Sequence, residues 1–201
     1  MKRLDIDPAS VDAVIVTHLH GDHFGGIPFL VLDAQFGHRN RPLIVAGPPG
    51  TRERVLQAME VLFPSSSGTH HPFDLRFIEL PPRTATAVGA VTVTGYEVIH
   101  ASGAAAYALR VVCAGKIVAY SGDTEWTDAL VEAADGADVF ICEAYFFAKV
   151  VKNHLAYATL CQHRAQLACR RIVLTHMSAE MLNQRARVAE EMADDGMSIT
   201  V

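Results

Sequence analysis

No apolar run in this sequence approaches the roughly 20 residues that a helix needs to cross a bilayer. The opening residues Met1-Lys2-Arg3-Leu4-Asp5 lead into Asp7-Pro8 rather than into the apolar core of a secretion signal. The four cysteines, Cys113, Cys142, Cys161 and Cys169, show no CxxC spacing. They are expected as buried free thiols, and a reducing, cytoplasmic setting follows. A basic surplus is missing too. Seventeen Lys and Arg face 22 Asp and Glu, for a net charge of −5, which disfavours a large polyanion and favours a small-molecule substrate. Low-complexity segments and repeats at a solenoid period are absent as well.

What is present is a globular composition. Half of the 201 residues are hydrophobic, which is enough for one sizeable core. Val11–Val16 reads as a short buried strand and Phe24–Phe36 as a helix. Further strands are expected at 43–46, 75–80, 91–99, 107–112, 116–120, 139–142 and 171–174, with Ala114-Gly115 turning a hairpin. Helices are expected at 51–63, with Thr51 as its N-cap, and at 127–134, 155–168 and 179–192. Strands followed by helices in both halves predict a layered α/β architecture with the helices outside.

The densest chemical signal is His18-Leu19-His20-Gly21-Asp22-His23. Residues two apart in an extended segment project to one side, so His18 and His20 converge. Asp22 and His23 fall where the chain turns into a helix and can address a second position. Neutral imidazole suits zinc and related divalent ions, and carboxylate compensates their charge. A histidine-rich surface loop that binds metal only adventitiously would not place four such groups in six positions directly after a buried strand.

This segment, with Thr17 before it and Phe24-Gly25-Gly26 after it, resembles the HxHxDH signature of the metallo-β-lactamase superfamily. Three further segments are similar to that family's later motifs, in its order. They are Val98-Ile99-His100, Ala119-Tyr120-Ser121-Gly122-Asp123-Thr124 and Val173-Leu174-Thr175-His176-Met177-Ser178. The resemblance runs from about Leu4 to Glu191. It implies a four-layer αβ/βα sandwich, residues 1–201 forming one such domain, and a binuclear metal centre. His18, His20 and His100 would hold one ion, Asp22, His23 and His176 the other, and Asp123 would bridge them. Two divalent ions, zinc foremost with manganese or iron as alternatives, would activate a shared water for hydrolysis.

The resemblance extends to the ribonuclease Z-like branch. His154, in Lys152-Asn153-His154-Leu155 and 22 positions before His176, resembles that branch's proton donor to the leaving group, a role suited to imidazole. The plainer reading is a helix-capping surface histidine. Glu143, in Ile141-Cys142-Glu143-Ala144-Tyr145-Phe146, resembles a carboxylate that orients a histidine, although Cys142 stands where that motif usually has histidine. Both are expected to be catalytic, together with Asp22. Ser121 and Ser178 show no sign of nucleophilic activation. His38, His70 and His71 read as solvated residues, the last two alternatively lining the site mouth, and His163 as structural or exposed.

Three functions compete: a phosphodiesterase, a lactone or thioester hydrolase on the same site, and a non-catalytic metal-stabilised binding module. The full set of ligands disfavours the third. Ribonuclease Z carries a long arm that grips tRNA, and only 22 residues separate His100 from Asp123, so tRNA is not the expected substrate. A small phosphodiester is expected instead. Members of the superfamily usually have two or three strands before the HxHxDH loop, and 17 residues precede His18 here. The chain is therefore expected to lack those strands, with Met1 as an internal methionine or the sheet completed in a homodimer.

Overall fold

The computed structural model describes the backbone of residues 1–201 and every side chain except that of Lys2. Residues 1–12 form two single 3-10 turns. The first long-range pairing is β1 (Ala13–Ile15), and the HxHxDH segment follows it into a one-turn helix, α1 (Gly21–Phe24). Gly25-Gly26 interrupts the expected 24–36 helix, and α2 (Ile27–Phe36) starts afresh with Pro28 in its first turn.

Next come β2 (Leu43–Gly47), α3 (Thr51–Leu62) and β3 (Leu75–Glu79). The N-cap of α3 is Gly50, not Thr51. Gly50 takes φ 90°, which favours glycine, while Thr51 Oγ1 donates to the Pro48 carbonyl at 2.6 Å. β1, β2 and β3 form a wholly parallel sheet in that order. All five residues of β2 are buried, as its uninterrupted apolar run requires of a central strand covered on both faces.

The second sheet has seven strands. Antiparallel β4 (Thr86–Val88), β5 (Val91–Glu97), β6 (Tyr107–Cys113) and β7 (Lys116–Tyr120) continue in parallel through β8 (Val139–Glu143), β9 (Ile172–Thr175) and β10 (Glu191–Met192). α4 (Asp128–Ala134), capped by the Thr127 side chain, links β7 to β8. α5 (Tyr157–His163) links β8 to β9, and α6 (Ala179–Leu182) follows β9.

The helix expected over 179–192 stops after one turn. Tyr157 Oη accepts the Ala189 amide at 3.1 Å and donates to Glu190 at 2.6 Å. The chain then pairs Glu191 and Met192 beside Val173 and Leu174. Backbone pairing with an open sheet edge outweighs local helix propensity here.

Alternation along the strands produces three apolar layers. Leu43 and Val45 pack with Val31, Val55 and Met59 beneath α2 and α3. Ile44 and Ala46 face the other way, onto Leu80, Val93, Tyr107 and Leu109 of the opposing sheet. Ala119, Phe140 and Leu174 pack on Leu130, Leu160 and Met181 under α4, α5 and α6. Helices, sheet, sheet and helices make the four-layer αβ/βα sandwich.

All four cysteines are free, but only Cys142 is buried. Cys113 and Cys161 are exposed, because Cys113 abuts the β6–β7 hairpin turn and Cys161 lies on the outer face of α5.

Candidate metal centre

Parallel strands deliver their carboxyl ends to one edge, where irregular backbone can be tolerated and side chains converge. Thr17 and His18 follow β1, Ser121 to Asp123 follow β7, Glu143 ends β8 and His176 follows β9. The two sheets are tied at this edge by the Tyr107 amide, which donates to the Thr17 carbonyl at 2.9 Å. Gly122 turns the chain there with φ 59°. A Cβ at this position would stand 2.8 Å from the Tyr107 carbonyl oxygen and 3.0 Å from Thr17 Cβ, so the approach of the sheets requires glycine.

His18, fully buried, sits at the middle of the cluster. Its ring centroid is 5.0 Å from that of His20, 3.9 Å from that of His23 and 4.6 Å from that of His100. Nδ1 of His18 lies 3.0 Å from Thr17 Oγ1, while its Nε2 is buried with no hydrogen-bond partner. Burial, with smaller contributions from the neighbouring imidazoles, lowers its pKa to about 3, so the ring is neutral.

One donor atom from each of His18, His20 and His100 lies within 4.8 Å of the others, and the same is true of His18, His23 and Asp123. Asp123 is stretched between the two sides. Its Oδ2 lies 3.2 Å from His23 Nε2, and its Oδ1 lies 3.2 Å from His176 Nδ1. A buried, unpartnered imidazole nitrogen facing other nitrogens is the environment that a cation resolves, and the donor chemistry fits divalent metal.

The second expected trio is drawn together less closely. Asp22 is largely exposed, with Oδ2 3.5 Å from His23 Nε2. His176 lies 6.1 Å from His23 between ring centroids, and its Nδ1 turns to Glu143 Oε2 at 3.2 Å. His176 also takes φ 53°, rare for a residue with a Cβ.

Glu143 and His154 belong to the same constellation. Glu143 is fully buried. Its Oε2 accepts from His154 Nδ1 at 3.1 Å and from His176 Nδ1, while the Thr124 amide donates to Oε1. Burial pushes its pKa upward, and these hydrogen bonds overcome that push and hold it below the ordinary carboxylate value. The hydrogen bond to Glu143 raises His176, against the effect of burial and with help from Asp123. His154 also has a ring nitrogen within 4.8 Å of donor atoms on His100 and Asp123.

Ser121 is structural, accepting from the Glu143 amide at 2.8 Å and donating to the Gly122 carbonyl at 2.7 Å. Ser178 caps α6. His70 and His71 lie with Pro42 and Leu75, by the amino ends of β2 and β3 and therefore away from the cluster. His71 stacks on Phe73, and His163 stacks on Trp126 at 4.1 Å.

Two contributors carried no spacing signal. Tyr145 lies flat against His154, ring centroids 4.6 Å apart, and Glu125 contacts the loop behind His100.

A family model described as the beta-lactamase superfamily domain matches residues 2–177. A ribonuclease Z of Bacillus velezensis is 26% identical, over 98% of this chain and 83% of its own length. The crystal structure of human tRNase Z, short form, superposes with a TM-score of 0.76 at 22% identity, over 99% of this chain and 82% of that one. The structure of Zn(2+)-bound PqqB from Methylobacterium extorquens gives 0.68 at 17% identity, over 94% and 73%.

Proposed function

Because the chain belongs to the metallo-β-lactamase superfamily and resembles its ribonuclease Z-like members over most of its length, we propose that it is a binuclear metal-dependent hydrolase of a small phosphodiester, such as a cyclic nucleotide. The observation that carries this reading is Asp123, whose two oxygens face His23 and His176 on opposite sides, beside the orphaned His18 Nε2. His18, His20 and His100 would hold one ion, Asp22, His23 and His176 the other, with Asp123 shared. Such ions, zinc in the first instance, supply Lewis-acid polarisation and water of lowered pKa.

The chain's own residues account for the remaining steps. His154 keeps a proton on Nδ1 toward Glu143, which leaves Nε2 to deliver a second proton to the departing oxygen. Glu143 fixes that tautomer and the orientation of the ring, the part a buried carboxylate plays beside a catalytic histidine. Tyr145, stacked on the His154 ring, restricts its tilt and keeps water from that face.

This donor favours a phosphodiester over a thioester, since an alkoxide leaving from phosphorus needs a proton more than a thiolate does, and the similarity to ribonuclease Z favours it over a lactone. The 22 residues between His100 and Asp123 are largely taken up by β6, its hairpin turn and β7, which supports a small substrate rather than tRNA. Residues 1–201 as a single domain, a homodimer and a cytoplasmic location belong to the same proposal. Among the described residues, no helix is long and apolar enough to cross a membrane. A hydrolysis screen of phosphodiesters, lactones and thioesters on zinc- and manganese-loaded protein tests the reading. Preference for the diesters is expected, and turnover confined to lactones or thioesters would replace it.

A further inference from the structure

His100 lies three residues beyond β5, next to an exposed Ile99, and its ring is held from a separate loop. Its Nδ1 donates to the Asn153 carbonyl at 2.9 Å. A carbonyl only accepts, so this bond fixes the tautomer with the lone pair on Nε2. Nε2 lies 3.1 Å from His20 Nδ1, inside the group that also contains His18.

The Asn153 carbonyl can point there because Asn153 adopts φ 68°, in a tight turn closed by a bridge between Val151 and His154. Glu125 holds that turn from outside. Its Oε1 accepts the Asn153 amide at 2.9 Å. The backbone of Glu125 is tied to the other side of the same ligand, since its amide donates to the Ile99 carbonyl at 3.1 Å. The neighbouring Thr124 Oγ1 accepts the Ile99 amide at 3.1 Å.

We propose that Glu125 is a positioning residue that clamps the 151–154 turn, so that one backbone segment both orients His100 toward its ion and sets the location of His154. The inference rests on the metal-centre reading above and extends it to a residue that touches neither ion nor substrate. Its consequence is coupling. His100 and His154, ring centroids 5.4 Å apart, are carried by a single clamp, and loosening the clamp disturbs metal retention and leaving-group protonation together. Only the acceptor oxygen of Glu125 and the backbone of Asn153 are required, so the charge of the first and the side chain of the second are dispensable.

The test compares Glu125→Ala, Glu125→Gln and Asn153→Gly with the wild-type chain. Chelator-stripped protein is titrated with zinc against a chromophoric competitor and with cobalt by visible absorption, and the melting temperature of each metal-free form is recorded. Glu125→Ala is expected to hold one of two ions about 10–100-fold more weakly and to show an altered cobalt spectrum, with its metal-free melting point near that of the wild type. Glu125→Gln keeps an acceptor, and Asn153→Gly keeps the backbone in a conformation glycine accepts, so both should bind as the wild type does. Glu125→Met, equal in length and without an acceptor, takes the place of Glu125→Ala if that variant does not fold. Unchanged affinity and spectrum in the acceptor-free variant, or equal weakening in Glu125→Gln, would overturn the clamp alone while wild type still takes two ions. A wild type that takes up none would remove the metal-centre reading as well.

Discussion

Glu143 Oε2 lies 3.1 Å from Nδ1 of His154, and the same oxygen accepts from His176 Nδ1 at 3.2 Å. One buried carboxylate thus sets the tautomer of two imidazoles from consecutive parts of the site. The two rings lie 5.2 Å apart between centroids, with Tyr145 against both. In the proposed reaction His176 is a ligand and His154 the proton donor, so the carboxylate would join metal binding to proton delivery.

His154→Ala is expected to lower turnover of diesters with poor leaving groups by about 10²–10⁴-fold and to affect activated aryl esters far less. Metal content should stay at the wild-type level. A plot of rate against leaving-group pKa measures this. Equal losses across the series, or lost metal, would mark His154 as a ligand or a structural residue instead.

Gly122→Ala should destabilise the fold and loosen the metal centre together. A left-handed backbone costs a residue with a Cβ about 1–2 kcal/mol, and the new carbon would also meet the Tyr107 carbonyl oxygen at 2.8 Å. At about 2–4 °C per kcal/mol for a chain of this size, the melting temperature should fall by several degrees. An unchanged melting curve would show that the sheets can part there without loss.

Asp138 supplies an acid-dependent contribution remote from the site. The Ile117 amide donates to Oδ2 at 2.9 Å, and Arg170 donates to Oδ1 at 3.1 Å with Lys116 nearby. The amide hydrogen bond first, and then the cations, hold the carboxyl below its ordinary value. A carboxylate depressed on folding stabilises above its unfolded pKa and loses that effect as pH falls through the folded one. Asp138→Asn should therefore lower the melting temperature at neutral pH, and the difference should close in acid below the carboxylate range. A difference that persists unchanged into that range would contradict the assignment.

How much of this was legible beforehand depends on the distance between partners in the chain. His18, His20, Asp22 and His23 are neighbours in sequence behind an apolar strand, so their convergence could be read directly. The β6–β7 hairpin announced itself at Ala114-Gly115. The clamp on His100 could not be read, because it links backbone atoms of Asn153 to residues 28 and 53 positions away. The helix expected through 179–192 failed for a related reason. Its apolar pattern is real, but Tyr157 and the open edge of β9 claim residues 189–192. β4 is illegible in the sequence because three residues beside a glycine turn carry too little pattern, and the cap falls on Gly50 rather than Thr51 because a left-handed glycine has no side-chain signature.

Precursor tRNA should bind weakly and with steep salt dependence, and 3′-end cleavage should be absent. The short His100–Asp123 connection and the net charge of −5 motivate this, against the similarity to ribonuclease Z. Site-specific cleavage at a rate comparable to that on small diesters would reassign the substrate.

The most direct measurement is the metal content of active, chelator-free protein by elemental analysis, wild type beside Asp123→Ala. Two divalent ions per wild-type chain are predicted, with at least one lost and activity abolished when the shared carboxylate is removed. Active wild-type protein holding no more than trace metal would contradict the account at its centre.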